Sequence, residues 1–139
     1  MELTIQETRN MLREVGLRST MTRIAVLRQL WQETRPVSHS EIVTAIQEVG
    51  DQATVYRSLL TFVDKGLARV ASNAGGIARY EPVRTGEEAH QVHPHFVCSV
   101  CHVVSCLPQS TVITTVEPVW RERLHQAELQ FVGVCIECE

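Results

Sequence analysis

Through the first 65 residues apolar side chains return every three or four positions, with polar ones between them, which predicts a run of helices. The first spans 3–15, with Leu12 and Val15 on its apolar face, Arg9 and Arg13 on its polar side and Gly16 ending it. Thr20 or Thr22 caps a second helix to about Glu33, with Ile24, Leu27, Leu30 and Trp31 facing inward, and Pro36 closes the connection. Ser38-His39-Ser40-Glu41 has the form of a capping box, in which hydroxyl and carboxylate satisfy each other's backbone donors. It opens a third helix with Ile42, Ala45, Ile46 and Val49 inward and Gly50 at its end. A fourth runs from Asp51 or Gln52 to Lys65. Its Val55, Leu59, Phe62 and Val63 face the core, leaving Thr54, Tyr56, Arg57, Ser58 and Thr61 outward.

The periodicity then changes. Leu67–Val70 and Ile77–Tyr80 read as two strands joined by Asn73-Ala74-Gly75-Gly76. Further on, His95–Val97, Val103–Leu107 and Leu129–Val134 are short apolar runs of strand type. A helix capped by Ser110 is predicted to about Gln126, bearing Val112, Val116, Val119, Trp120 and Leu124, kinked or starting late because of Pro118. The fold class is therefore α+β: an N-terminal winged helix-turn-helix over 1–84, a polar hinge at 85–90, and a small α/β domain over 91–139.

In a winged helix-turn-helix the last helix enters the major groove with its N-terminal side chains leading. Arg57 can grip a guanine edge or a phosphate, and Tyr56 can meet a thymine methyl or a phosphate, with Thr54 beside them. A three-helix protein-interaction module would show the same periodicity. Charge favours DNA only once it is divided. The chain carries −3, but 1–84 carries +2, nearly all of its basic charge from arginine, and 85–139 carries −5. With no signal-like apolar run and five cysteines, the expected compartment is the cytoplasm with thiols reduced. No membrane association is expected.

Chemistry concentrates in His93-Pro94-His95-Phe96-Val97-Cys98-Ser99-Val100-Cys101 and, near the C-terminus, Cys135-Ile136-Glu137-Cys138. Two Cys-x-x-Cys pairs supply the four thiolates of a closed tetrahedral Zn²⁺ site; a pair of redox dithiols is the other reading. His93 and His95 stand at i and i+2 on a strand, share a face, and can hold a second, exchangeable ion. No open coordination position and no proline before Cys98 argue against a zinc hydrolase or deaminase, so no enzyme and no small-molecule substrate are expected.

Four motifs together resemble the ferric uptake regulator (Fur) family. They are Gly16-Leu17-Arg18-Ser19-Thr20 with Arg23, Ala53-Thr54-Val55-Tyr56-Arg57, His93-Pro94-His95 running into Cys98-x-x-Cys101, and Gly133-Val134-Cys135-x-x-Cys138. The resemblance covers nearly the whole chain. It implies a metal-dependent homodimeric transcription regulator, a repressor, whose winged helix binds double-stranded DNA at an AT-rich inverted repeat. Cys98, Cys101, Cys135 and Cys138 match the structural zinc ligands. Glu81, His93 and His95 match three ligands of an interdomain regulatory site for Fe²⁺, Zn²⁺ or Mn²⁺. Tyr56 and Arg57 match recognition-helix contacts, and Arg18 a basic residue that reaches the minor groove.

The chain departs from the family's pattern in several places. Pro36 stands where many members have a histidine ligand, with His39 three positions on. An additional family site falls on Val92, Pro94, Ile113 and Ala127, none of which binds metal through its side chain. The stretch from Glu81 to His93 is longer than usual, with Thr85–Gln91 as the insertion, and His90 inside it is a candidate replacement ligand. Cys106 replaces an aspartate ligand of peroxide-sensing members, leaving it open as a ligand, a redox sensor or a core residue. Two rival functions follow: an oxidant-sensing regulator of the same family, and a zinc-stabilised interaction protein without DNA binding.

Overall fold

The computed structural model describes residues 2–47, 49–84, 94–108, 117, 119, 120, 123 and 129–139. It divides into two compact units, Met1–Val83 and Arg84–Glu139. The expected hinge at 85–90 and almost all of the helix expected over 110–126 lie outside the described residues, as do His90 and His93.

In the first unit α1 (Ile5–Glu14) opens on a full capping box, Thr4 Oγ1 accepting from the Glu7 amide and the Glu7 carboxylate accepting from the Thr4 amide. Thr20, rather than Thr22, caps α2 (Met21–Gln32). The buried face of α2 is Val26, Leu27, Leu30 and Trp31, with Ile24 only half-buried against them. Strand β1 (Val37–Ser38) then leads into α3 (His39–Ala45). Only half of the expected capping box forms there. Ser38 Oγ accepts from the Glu41 amide, but the Glu41 carboxylate turns to Arg79 Nη1 at 2.6 Å and to Ser38 Oγ.

Helix α3 ends five residues before Gly50. Of the residues expected to face inward only Ile42 is fully buried; Ile46 and Val49 are half-buried and Ala45 is exposed. The Val49 amide bonds the Ile46 carbonyl at 2.9 Å, replacing the helical pattern with a turn that makes room for the next cap. That cap is Asp51, whose Oδ1 accepts from the Thr54 amide at 2.7 Å and starts α4 (Gln52–Asp64).

Helix α4 buries Val55, Leu59 and Phe62 in a core shared with Leu12, Leu27, Leu30 and Ile42. Ser58, expected outward, is only 6% exposed, because its hydroxyl donates to the Thr54 carbonyl at 2.9 Å and so enters the core satisfied. Strands β2 (Ala68–Ser72) and β3 (Arg79–Pro82) follow, each displaced by one or two residues from the expected position. With β1 they make a three-stranded antiparallel sheet, order β1-β3-β2, with a bulge between Val70 and Ser72. Helices α2, α3 and α4 with the small wing-like sheet form a winged helix-turn-helix, and α1 packs against α2.

The second unit contains β4 (His95–Cys98), β5 (Val104–Cys106) and β6 (Gln130–Gly133), in the order β5-β4-β6. β4 pairs antiparallel with β5 and parallel with β6. Among the described residues no helix is long and apolar enough to cross a membrane.

Candidate metal centres and nucleic-acid interface

Parallel pairing of β4 with β6 builds the cysteine centre. Cys98 lies opposite Gly133 at the same ends of the two strands, so the turns that follow them deliver both Cys-x-x-Cys pairs to one point. The Ser99 amide donates to the Gly133 carbonyl at 2.8 Å and ties the two turns together. The chain passes close to Phe96 at Gly133, where a Cβ would lie 3.2 Å from the ring. The sulfurs of Cys98, Cys101, Cys135 and Cys138 all lie within 4.8 Å of one another.

A tetrahedral zinc with Zn–S bonds of about 2.3 Å holds its sulfurs about 3.8 Å apart. The Cys101 and Cys135 sulfurs are 3.8 Å apart. The amides of Val100 and Cys135 both approach Cys98 Sγ at 3.4 Å. Backbone donors, first that of Cys101 and then that of Cys135, hold the Cys98 thiol down to about 6. Cys138 is pushed up to about 12, because hydrogen bonds with the Cys135 and Cys101 side chains favour its protonated form. One sulfur is thus prepared as a thiolate, and others give up protons as a cation arrives. The four residues fit a closed structural zinc site, whose bound ion would supply folding energy and no catalytic position.

The candidate regulatory residues are placed differently. His95, 3% exposed, begins β4 directly opposite Cys106 at the end of β5. The Leu107 amide bonds the Pro94 carbonyl at 2.8 Å and the Cys98 amide bonds the Val103 carbonyl at 3.0 Å. These bonds make His95 and Cys106 a non-hydrogen-bonded cross-strand pair, the type whose side chains stand closest. A ring nitrogen of His95 and Cys106 Sγ lie within 4.8 Å of each other. Cys106 is exposed, which removes the core role left open by the sequence. Glu81, on β3, is 5% exposed and accepts from Arg69 Nε at 2.7 Å. A carboxylate has a second oxygen, so this ion pair is compatible with metal coordination.

The outward face of α4 carries Tyr56, 46% exposed, and Arg57, also exposed. Arg57 Nη2 reaches Thr54 Oγ1 at 3.4 Å, which restrains the guanidinium beside the helix start. His39 has a structural role here. Its Nε2 bonds the Gln52 carbonyl at 2.8 Å, so that nitrogen carries the proton, and its ring meets Tyr56 edge-on with centroids 5.5 Å apart. The start of α3 therefore buttresses the first turns of α4, a contact between residues distant in sequence that no local motif announces. Arg18 is exposed between α1 and α2, and its carbonyl accepts from Arg23 Nη1 at 3.2 Å.

The model of the "Ferric uptake regulator family" matches residues 14–132. A ferric uptake regulation protein from Mycolicibacterium fortuitum is 31% identical over 97% of this chain and 94% of its own length. The structure of the Pseudomonas aeruginosa ferric uptake regulator with manganese superposes with a TM-score of 0.69 at 29% identity, covering 93% of this chain and 98% of that one. A zinc uptake regulator solved with zinc and DNA shares the fold, with a TM-score of 0.62 at 17% identity over 99% and 96% of the two chains. The chain belongs to the ferric uptake regulator family, whose members are metal-responsive transcription regulators and not enzymes.

Proposed function

We propose that this chain is a cytoplasmic, metal-dependent repressor that binds an AT-rich inverted repeat as a homodimer. The observation that carries the reading is the exposed N-terminal face of α4. There Arg57 is restrained by Thr54, Tyr56 is backed by His39, and the helix is capped by Asp51. A recognition helix leads with this part into the major groove, where arginine pairs with guanine or phosphate. Arg18 is suited to a narrow A·T minor groove, whose negative potential attracts a cation. The zinc uptake regulator that shares the fold was solved with DNA.

Dimerisation is supported by strand β6, at the sheet edge among the described residues, and the segment after it. Phe131, Val132 and Val134 are exposed there, and Ile136 is 90% exposed. Large apolar side chains exposed together along one edge are often covered by a partner. A second copy would set two recognition helices about one helical turn of DNA apart, or a multiple of that. The regulatory ion is held by Glu81, His93 and His95. It acts as an effector by favouring the arrangement that fits DNA.

The test is a mobility shift on an AT-rich inverted repeat with Arg57→Ala and Tyr56→Ala. Each should weaken binding by about 1–3 kcal/mol, roughly 5- to 150-fold. Zinc content and dimer mass should be unchanged. Equal binding by wild type and both variants would leave the interaction-protein reading instead.

A further inference from the structure

The regulatory site so far contains nitrogen and oxygen ligands only, a set that does not separate iron, manganese and zinc. The sheet adds a sulfur. Strand pairing sets Cys106 directly across from His95, their ligand atoms within 4.8 Å of each other. Val97 and Val104, the next pair along the same face, are both buried, so the two ligands stand at the end of an apolar strip that fixes the strands beneath them. Cys106 is separate from the four-sulfur set, whose coordination is complete without it.

We propose that Cys106 is a ligand of the regulatory ion, paired with His95, and that it tunes this site to zinc over iron(II) and manganese. The inference rests on the reading above that a second divalent ion binds through His95, and it names the class of that ion. An ion bridging an imidazole nitrogen at about 2.0–2.1 Å and a thiolate sulfur at about 2.3 Å fits ligand atoms within 4.8 Å, since two tetrahedral bonds of those lengths span about 3.6 Å. Coordination displaces the thiol proton to solvent, and no redox change is involved. Thiolate is a soft ligand that suits zinc, whereas manganese is best held by carboxylate and water oxygens.

The experiment uses the full chain loaded with one equivalent of zinc to fill the four-cysteine site, then titrated with Co²⁺. Zinc resists displacement there because cobalt lies below it in affinity order. A second ion bound through Cys106 should produce a thiolate-to-cobalt charge-transfer band in the near ultraviolet. Cys106→Ser and His95→Ala should each abolish that band while retaining the first zinc. Cys106→Asp should keep second-site binding without the band, and lower the preference for Zn²⁺ over Mn²⁺ by about tenfold or more. A second cobalt bound without the band in wild type, or an undiminished band in Cys106→Ser, overturns the sulfur ligand. In that case the regulator reading stands if DNA affinity still follows metal. Absence of any second bound ion overturns both.

Discussion

Gly50 holds the turn that leads into α4, and replacing it by alanine should be costly for two separable reasons. Its φ is +105°, a conformation that L residues reach only with strain. A Cβ there would also lie 2.7 Å from Thr22 Oγ1 and 3.0 Å from Thr22 Cγ2 on α2. The backbone strain is on the order of 1–2 kcal/mol. Forcing Thr22 off its rotamer adds about 0.5–1.5 kcal/mol. Alanine recovers about 0.4–1 kcal/mol by restricting the unfolded chain, so the net loss is about 0.5–3 kcal/mol. Urea unfolding of the zinc-loaded protein, followed by circular dichroism, measures it. In the double variant Thr22→Ala/Gly50→Ala the collision disappears, and a double-mutant cycle should return a coupling of about 0.5–1.5 kcal/mol. Operator affinity should fall with Gly50→Ala, because Asp51 and α4 begin at the next residue. A Gly50→Ala protein within about 0.5 kcal/mol of wild type, the ordinary range for a surface change, would refute this geometry.

Further outcomes follow from other contacts. Glu41→Ala leaves the buried Arg79 guanidinium without its 2.6 Å partner and should cost about 1–2 kcal/mol in urea unfolding, less than a fully buried pair because Glu41 is partly exposed. The Asp51 carboxylate is held below its ordinary range by the Thr54 side chain and amide. Its stabilisation is therefore present above the unfolded carboxylate pKa and lost as pH falls through the depressed folded value. An acid unfolding series should show Asp51→Asn lacking that decline. Zinc binding at the four cysteines displaces protons, Cys138 sitting near 12, so zinc affinity should weaken as the pH is lowered, most steeply below about 6 where Cys98 also protonates. A chromophoric chelator should draw zinc faster at pH 5.5 than at pH 8, and an equal rate would contradict it; these two pH values are about one-half unit below and two units above the Cys98 value.

Helix periods and caps made α1, α2 and α4 legible because α1 and α4 are locally amphipathic, α2 repeats apolar residues at helical spacing, and each starts on a hydroxyl or carboxylate side chain. The four-cysteine set and the three strands around it were legible for a related reason: paired ligands and short apolar runs are local patterns. Strand β1 was not, since two residues carry no period and Val37 and Ser38 become a strand only by pairing with β3, more than 40 residues on. Burial of Arg79 was not legible either, because its partner Glu41 lies 38 residues away in the chain. The end of α3 was misplaced because Ile46 and Val49 continue the helical spacing into a turn. The His95–Cys106 pairing was within reach. The knuckle turn between Cys98 and Val103 sets the register of β4 on β5, and counting outward from it meets Cys106 opposite His95. The candidate DNA contacts rested on residue type and helix face, and His39 behind Tyr56 needed the fold.

The central claim is that a second ion, distinct from the structural zinc, controls DNA binding. Its most direct test is the affinity of the dimer for an AT-rich inverted repeat at fixed salt, since phosphate contacts make affinity salt-dependent. The titration should compare protein whose exchangeable metal has been chelated with the same protein resupplied with Zn²⁺, Mn²⁺ or Fe²⁺, the four-cysteine zinc being retained throughout. Tight binding restored by a divalent ion, with zinc effective at the lowest concentration, is the predicted result. DNA affinity that is the same in the chelated protein and with every metal would contradict it.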